Sequence, residues 1–148
     1  LASPHYGERW GRHWLDAAGY ADSEGYAAED NPRAHAFRYR DYVIRSLNAD
    51  KPIDRFLREQ LAGDQLPGST RRQLIASGYN RLNMTTREGG SQPKEYIAIY
   101  LGDRVRNVSA VWMGATVGCA QCHDHKYDPY AIKDHYAMAA FFSDLHDE

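Results

Sequence analysis

Apolar residues recur at three- and four-residue spacing along most of this chain, and that period dictates helices. Ser3-Pro4 supplies a helix start, with Ser3 as N-cap and Pro4 at the first helical position. The expected first helix runs to Ala18 and stops at Gly19, with Tyr6, Trp10, Trp14 and Ala17 on one face and His13 at its edge. Residues 20 to 33 read as a loop, from Asp22-Ser23, Gly25 and Asn31-Pro32. A second helix is expected from Ala34 to Leu47, with Phe37, Val43, Ile44 and Leu47 inward. A third opens at Pro52 on Ile53, Phe56, Leu57 and Leu61, and Gly63 and Pro67-Gly68 end it. A short fourth spans Thr70 to Tyr79. After a polar loop from Asn83 to Gln92, a fifth runs from Gln92-Pro93 to Met113, although Val111 to Val117 also reads as a short strand. A sixth covers Ala131 to Phe142. The fold class is therefore mainly α: one domain over residues 1–148, five to six helices with long loops. No internal repeat or low-complexity segment interrupts it.

Hydrophobic residues make up 43% of the chain, enough for a globular core. Formal net charge is −2, which argues against nucleic acid as a partner. No apolar run has the length of a transmembrane segment, and no signal peptide is visible. The first residue is Leu1 rather than methionine, so the chain reads as a fragment of a larger protein. Eleven tyrosines and three tryptophans offer rings suited to packing around a large flat group, as well as to an ordinary core.

Both cysteines of the chain lie in one pentapeptide, Cys119-Ala120-Gln121-Cys122-His123. Chance placement of this pattern has odds of roughly one in 1,600. C-x-x-C-H is the attachment signature of c-type haem. The thiols bond the haem vinyl groups and His123 becomes the proximal iron ligand. Zinc is the competing metal, but Cys119, Cys122, His123 and His125 crowd into seven residues where zinc sites spread their ligand pairs. A disulfide over two intervening residues restrains the unfolded chain little. A thioredoxin-like motif needs a βαβ pattern that is absent here. Asp124, Asp128 and Asp134 lack the spacing of a calcium loop and read as a solvated acidic stretch.

If haem c is the cofactor, the sixth ligand decides the chemistry. His13 is the leading distal candidate, so His123 and His13 form the expected metal pair. Met84 is the thioether alternative. His125, tethered on the proximal side, reads as orienting His123 or meeting a propionate. Met113 reads as core; His5, His35 and His135 are weaker candidates, and His146 reads as exposed. The expected function is covalent mono-haem electron transfer by an exported, periplasmic or extracellular domain. Its partners are redox proteins or neighbouring haem domains. Two alternatives stand: an open-site haem enzyme handling peroxide, and a haem-free metal-binding or scaffold domain. The motif follows five helices, which is not the layout of a small cytochrome c.

Longer strings carry a resemblance. They include Ser3-Pro4-His5-Tyr6-Gly7-Glu8-Arg9-Trp10, Tyr39-Arg40-Asp41-Tyr42, Glu59-Gln60-Leu61-Ala62-Gly63-Asp64, Arg87-Glu88-Gly89-Gly90, and Gly118-Cys119-Ala120-Gln121-Cys122-His123-Asp124-His125-Lys126-Tyr127-Asp128-Pro129. Over nearly its whole length the chain resembles a domain of unknown function from large exported planctomycete-type proteins, often found beside a separate cytochrome c module. The resemblance implies export, a multidomain redox-related protein and this Cys/His motif as a defining element. It implies no established activity.

Overall fold

The helical period is realised in six α-helices and one two-stranded hairpin among the described residues. The structure is a computed structural model, and it describes residues 2–25, 29–86 and 90–145. His146 and the Arg87-Glu88-Gly89 string lie outside them. The chain divides into two compact units, residues 1–82 and 83–148.

In the N-terminal unit, α1 is Tyr6–Ala18. The Ser3 signal acts one turn early: its Oγ accepts the His5 N–H at 3.2 Å, and its carbonyl accepts the Tyr6 N–H at 3.1 Å. The buried face of α1 is rotated from the expected aromatic stripe. Gly7, Gly11 and Ala18 are buried, while Trp10 is 52% exposed. The reason is close approach to α2, Phe37–Asn48. A Cβ on Gly7 would lie 2.2 Å from the Ile44 carbonyl oxygen, so only glycine lets the two backbones meet there. The Gly7 N–H donates to Asn48 Oδ1 at this crossing.

Between these helices, part of the expected loop forms a minimal two-stranded pairing. β1 (Ser23–Glu24) pairs antiparallel with β2 (Asn31–Pro32), in the register Ser23–Pro32 and Glu24–Asn31. Arg33 Nε reaches Glu24 Oε2 at 3.0 Å and holds it shut.

The inward faces of α2 and of α3 (Ile53–Ala62) also differ from the aliphatic pattern. Val43 and Phe56 are buried as expected, but Phe37 and Ile53 are exposed, and the core takes Tyr39, Tyr42, Glu59 and Gln60 as well. Aromatic rings pack edge-on and stacked: Trp14 on Phe56 with centroids 5.0 Å apart, Tyr42 on Phe56 at 6.0 Å. Every polar tip in this cluster has a partner. Trp14 Nε1 donates to Tyr39 Oη and Gln60 Oε1, and the Tyr39 hydroxyl donates to the same amide oxygen. Burial pushes the Tyr39 hydroxyl well above the usual tyrosine range, so it stays a donor. The rings thus pack mainly against one another. α4 (Arg71–Ala76) starts at a capping box, Thr70 with Gln73, and continues as a 3₁₀ turn over Ser77–Arg81.

The C-terminal unit is built on α5, Pro93–Met113, which begins on proline as its sequence predicts. Gly114 in the left-handed conformation ends it, so Val111 to Met113 is helix rather than strand. Met113 corrects the expectation of a core residue: at this last helical position it is 54% exposed. A 3₁₀ turn, Val117–Gln121, carries the motif, and α6 is Ile132–Ala140. Val105, Ala115, Val117 and Ala139 form the core, flanked by Leu101, Tyr130 and Met138. No helix among the described residues is long and apolar enough to cross a membrane.

Candidate functional site

The two cysteines owe their placement to the 3₁₀ turn. Cys119 lies within it and Cys122 caps its end, and both are free and exposed. The two residues between them do the anchoring. Ala120 is fully buried. Gln121 accepts from Arg106 Nη2 of α5 at 3.3 Å through its side chain, and from the Tyr136 hydroxyl of α6 at 3.1 Å through its backbone carbonyl. Two glycines admit the turn. A Cβ on Gly102 would meet the Gln121 side chain at 3.1 Å, and one on Gly118 would meet Arg106 Cγ at 3.0 Å.

His123 follows the turn and is exposed. Its Nδ1–H donates to the Asp124 carbonyl at 2.8 Å. That bond selects the tautomer with the lone pair on Nε2, the state an imidazole needs to ligate a metal.

His125 has a different part. Its side chain is only 8% exposed. Nδ1 accepts the backbone N–H groups of Asp128 at 2.8 Å and Tyr127 at 3.2 Å, so the proton sits on Nε2 and is donated to Thr116 Oγ1 at 2.8 Å. His125 N–H also reaches the Tyr130 carbonyl at 2.7 Å. Both ring nitrogens are committed to shaping the 124–130 loop, and the bonds it makes are to Thr116 and this loop rather than to His123.

The three aspartates divide between the same loop and the next helix. Asp124 Oδ1 accepts the Ile132 N–H and Asp134 Oδ2 accepts the Ala131 N–H, each at 2.8 Å, so two carboxylates satisfy the first turn of α6. Asp128 lies 3.6 Å from His125 Nδ1. His135, one of the weaker distal candidates, is the largest fully buried side chain among the described residues. Its Nδ1 lies 3.3 Å from the Val117 carbonyl, tying α6 to the start of the motif turn. Thr116, Arg106 and Tyr136 carry no advance signal, because their roles exist only once the turn is folded.

The remaining candidates are dispersed. His13 is exposed on α1 with its ring 5.5 Å from Trp10, in the N-terminal unit. Met84 is 83% exposed, in the unit that holds the motif. His5 pairs with Glu8 at 2.9 Å, and His35 is exposed. Among the described residues no three His, Cys, Asp or Glu side chains gather into a group able to hold a metal ion. A haem attached through two thioethers does not require such a group, since it brings its own nitrogens to the iron.

No curated protein and no solved structure matches the chain. A family model does, over residues 1–147: the chain belongs to the family PSCyt2, described as "Protein of unknown function (DUF1549)".

Proposed function

We propose that Cys119, Cys122 and His123 hold a covalently attached c-type haem, and that the domain transfers single electrons. The observation that carries this reading is two free, exposed thiols, one within a buttressed turn and one at its end, followed at once by an exposed imidazole whose Nδ1 is committed to the Asp124 carbonyl, which keeps Nε2 for a metal. In attachment each S–H adds across a vinyl double bond, the sulfur to one carbon and the hydrogen to the other, with no net electron loss. The bound group supplies reversible one-electron chemistry at iron.

The chain's own residues do the rest. The Asp124 carbonyl holds the Nδ1 proton of His123, which fixes the tautomer and the orientation of the ring. Ala120 and Gln121 fix the turn, so the thiols are pre-oriented. Ile132 and Tyr136, four residues apart on one face of α6, are exposed apolar surface suited to a macrocycle, and the Tyr136 hydroxyl reaches the Gln121 carbonyl. Zinc is the weaker reading, because His125 has no ring nitrogen left to give. Covalent haem c is normally attached outside the cytoplasm, so the reading includes export and redox partner proteins or neighbouring haem domains. His13 is the proposed sixth ligand and Met84 its alternative.

Optical redox titration tests the reading. A carrier follows a one-electron Nernst curve, about 59 mV per tenfold change in the reduced-to-oxidised ratio. The reduced protein should bind carbon monoxide slowly or not at all, and His13→Ala should convert the low-spin spectrum to a carbon monoxide-binding one. An unchanged spectrum in His13→Ala transfers the assignment to Met84. Rapid binding by the wild type favours an open-site enzyme instead.

A further inference from the structure

A separate concentration of charge lies on α2 and α4 of the N-terminal unit. Two adjoining recesses, about 120 and 390 Å³, share Arg38, Arg45, Arg72 and Ile75 as walls. The narrower is completed by Lys51, the wider by Arg71, Asp41 and Phe37. Five cations therefore line the two recesses together, four in each, in a chain whose net charge is −2.

The local carboxylates neutralise only some of them. Glu59 holds Lys51. Asp41 is shared between Arg45 at 3.4 Å and Arg40 at 3.3 Å. Among the described residues Arg38, Arg71 and Arg72 pair with no carboxylate, and the Arg38 guanidinium lies 6.0 Å from the Phe37 ring. Cations held round a concave wall repel one another and focus a positive potential into it. A solvated basic face would spread its arginines over convex surface; these converge from two helices. Guanidinium forks match the oxygens of tetrahedral anions in pairs. Ile75 and Phe37 add apolar wall beside them, room for the organic part of a ligand.

We propose that this recess binds a tetrahedral oxyanion ester, phosphate or sulfate, carried on a small organic molecule. The site is independent of the haem reading. Its test is a titration of the full chain with inorganic phosphate and with inorganic sulfate, at ionic strength fixed with chloride, followed by backbone amide shifts. Saturable shifts confined to residues 37–51 and 71–76 are expected, and the tighter-binding ion identifies the ester. Arg38→Gln with Arg72→Gln should weaken binding at least tenfold. Should that pair fail to fold, the exposed pair Arg71→Gln with Arg72→Gln serves, with the same expected loss. Shifts that rise linearly without saturating, or that persist unchanged in the folded variants, overturn the proposal.

Discussion

A chain carrying Cys119→Ser and Cys122→Ser should hold no haem that survives acidified-acetone extraction, while its haem-free form melts as the unsubstituted haem-free chain does. The two halves of this expectation have separate physical sources. Thioether formation needs the thiol, so the covalent link is lost outright. The fold, in contrast, asks nothing of either sulfur. Both thiols are exposed and unpaired, and the turn is held by Ala120, Gln121, Arg106 and Tyr136. Exposed substitutions of this kind usually alter stability by no more than about 0.5 kcal/mol. Circular dichroism and a thermal melt on haem-free protein, alongside extraction of matured protein, read both halves. A large drop in the melting temperature of the haem-free variant would mean that the cysteines stabilise the fold and that their pairing serves structure.

Glu59→Ala should lower the unfolding free energy by about 3–5 kcal/mol, the cost of removing one partner from a buried ion pair. The Glu59 side chain is 3% exposed and is held from three sides. Tyr42 Oη donates at 2.9 Å, Arg55 Nε at 2.9 Å, and Lys51 Nζ also donates. Arg55 is largely exposed and contributes little. Lys51 is the expensive loss: its ammonium sits 4.5 Å from the Tyr42 ring centroid and would be stranded there.

Burial alone would raise the Glu59 carboxyl, but the hydrogen bonds from Lys51, Tyr42 and Arg55 outweigh it and hold it below the usual range. The same pair has the opposite effect on Tyr42, whose hydroxyl is raised by burial and then by the bond to Glu59. A depressed carboxyl stabilises the fold fully above its unfolded value of about 4.3 and loses that contribution as pH falls through its lower folded value. Urea titrations of wild type and Glu59→Gln should therefore show a constant gap above about pH 5 that closes below about pH 4. A gap that does not change between pH 3 and pH 7 contradicts the account of Glu59 as a buried anion.

How much of this was legible beforehand depends on the range of the forces involved. Helix α4 was readable because its Thr70–Gln73 capping box is local, and the end of α5 because a chain leaving a helix favours glycine at position 114. The motif was readable because its members are adjacent. The buried face of α1 was not, since Gly7 and Gly11 carry no hydrophobic signal and matter only through α2 far along the chain, Gly7 meeting the Ile44 carbonyl and Gly11 the side chains of Ile44, Val43 and Leu47. Tyr39 and Tyr42 escaped an aliphatic count because their hydroxyls are satisfied by Gln60 and Glu59, partners on another helix. His125 sits beside the motif in sequence, yet its two nitrogens are claimed by Thr116 and by backbone groups that converge only in the folded 124–130 loop. Residue type announces that an imidazole is available; which atoms claim it is decided by loop geometry.

The most direct measurement is a pyridine haemochrome spectrum of the full chain, matured in cells that express the haem-attachment machinery and then stripped of non-covalent haem by acidified acetone. The account predicts the haem c spectrum at one haem per chain, absent from the Cys119→Ser, Cys122→Ser protein. Folded, unsubstituted protein that emerges from that maturation with free thiols and no Soret band contradicts it.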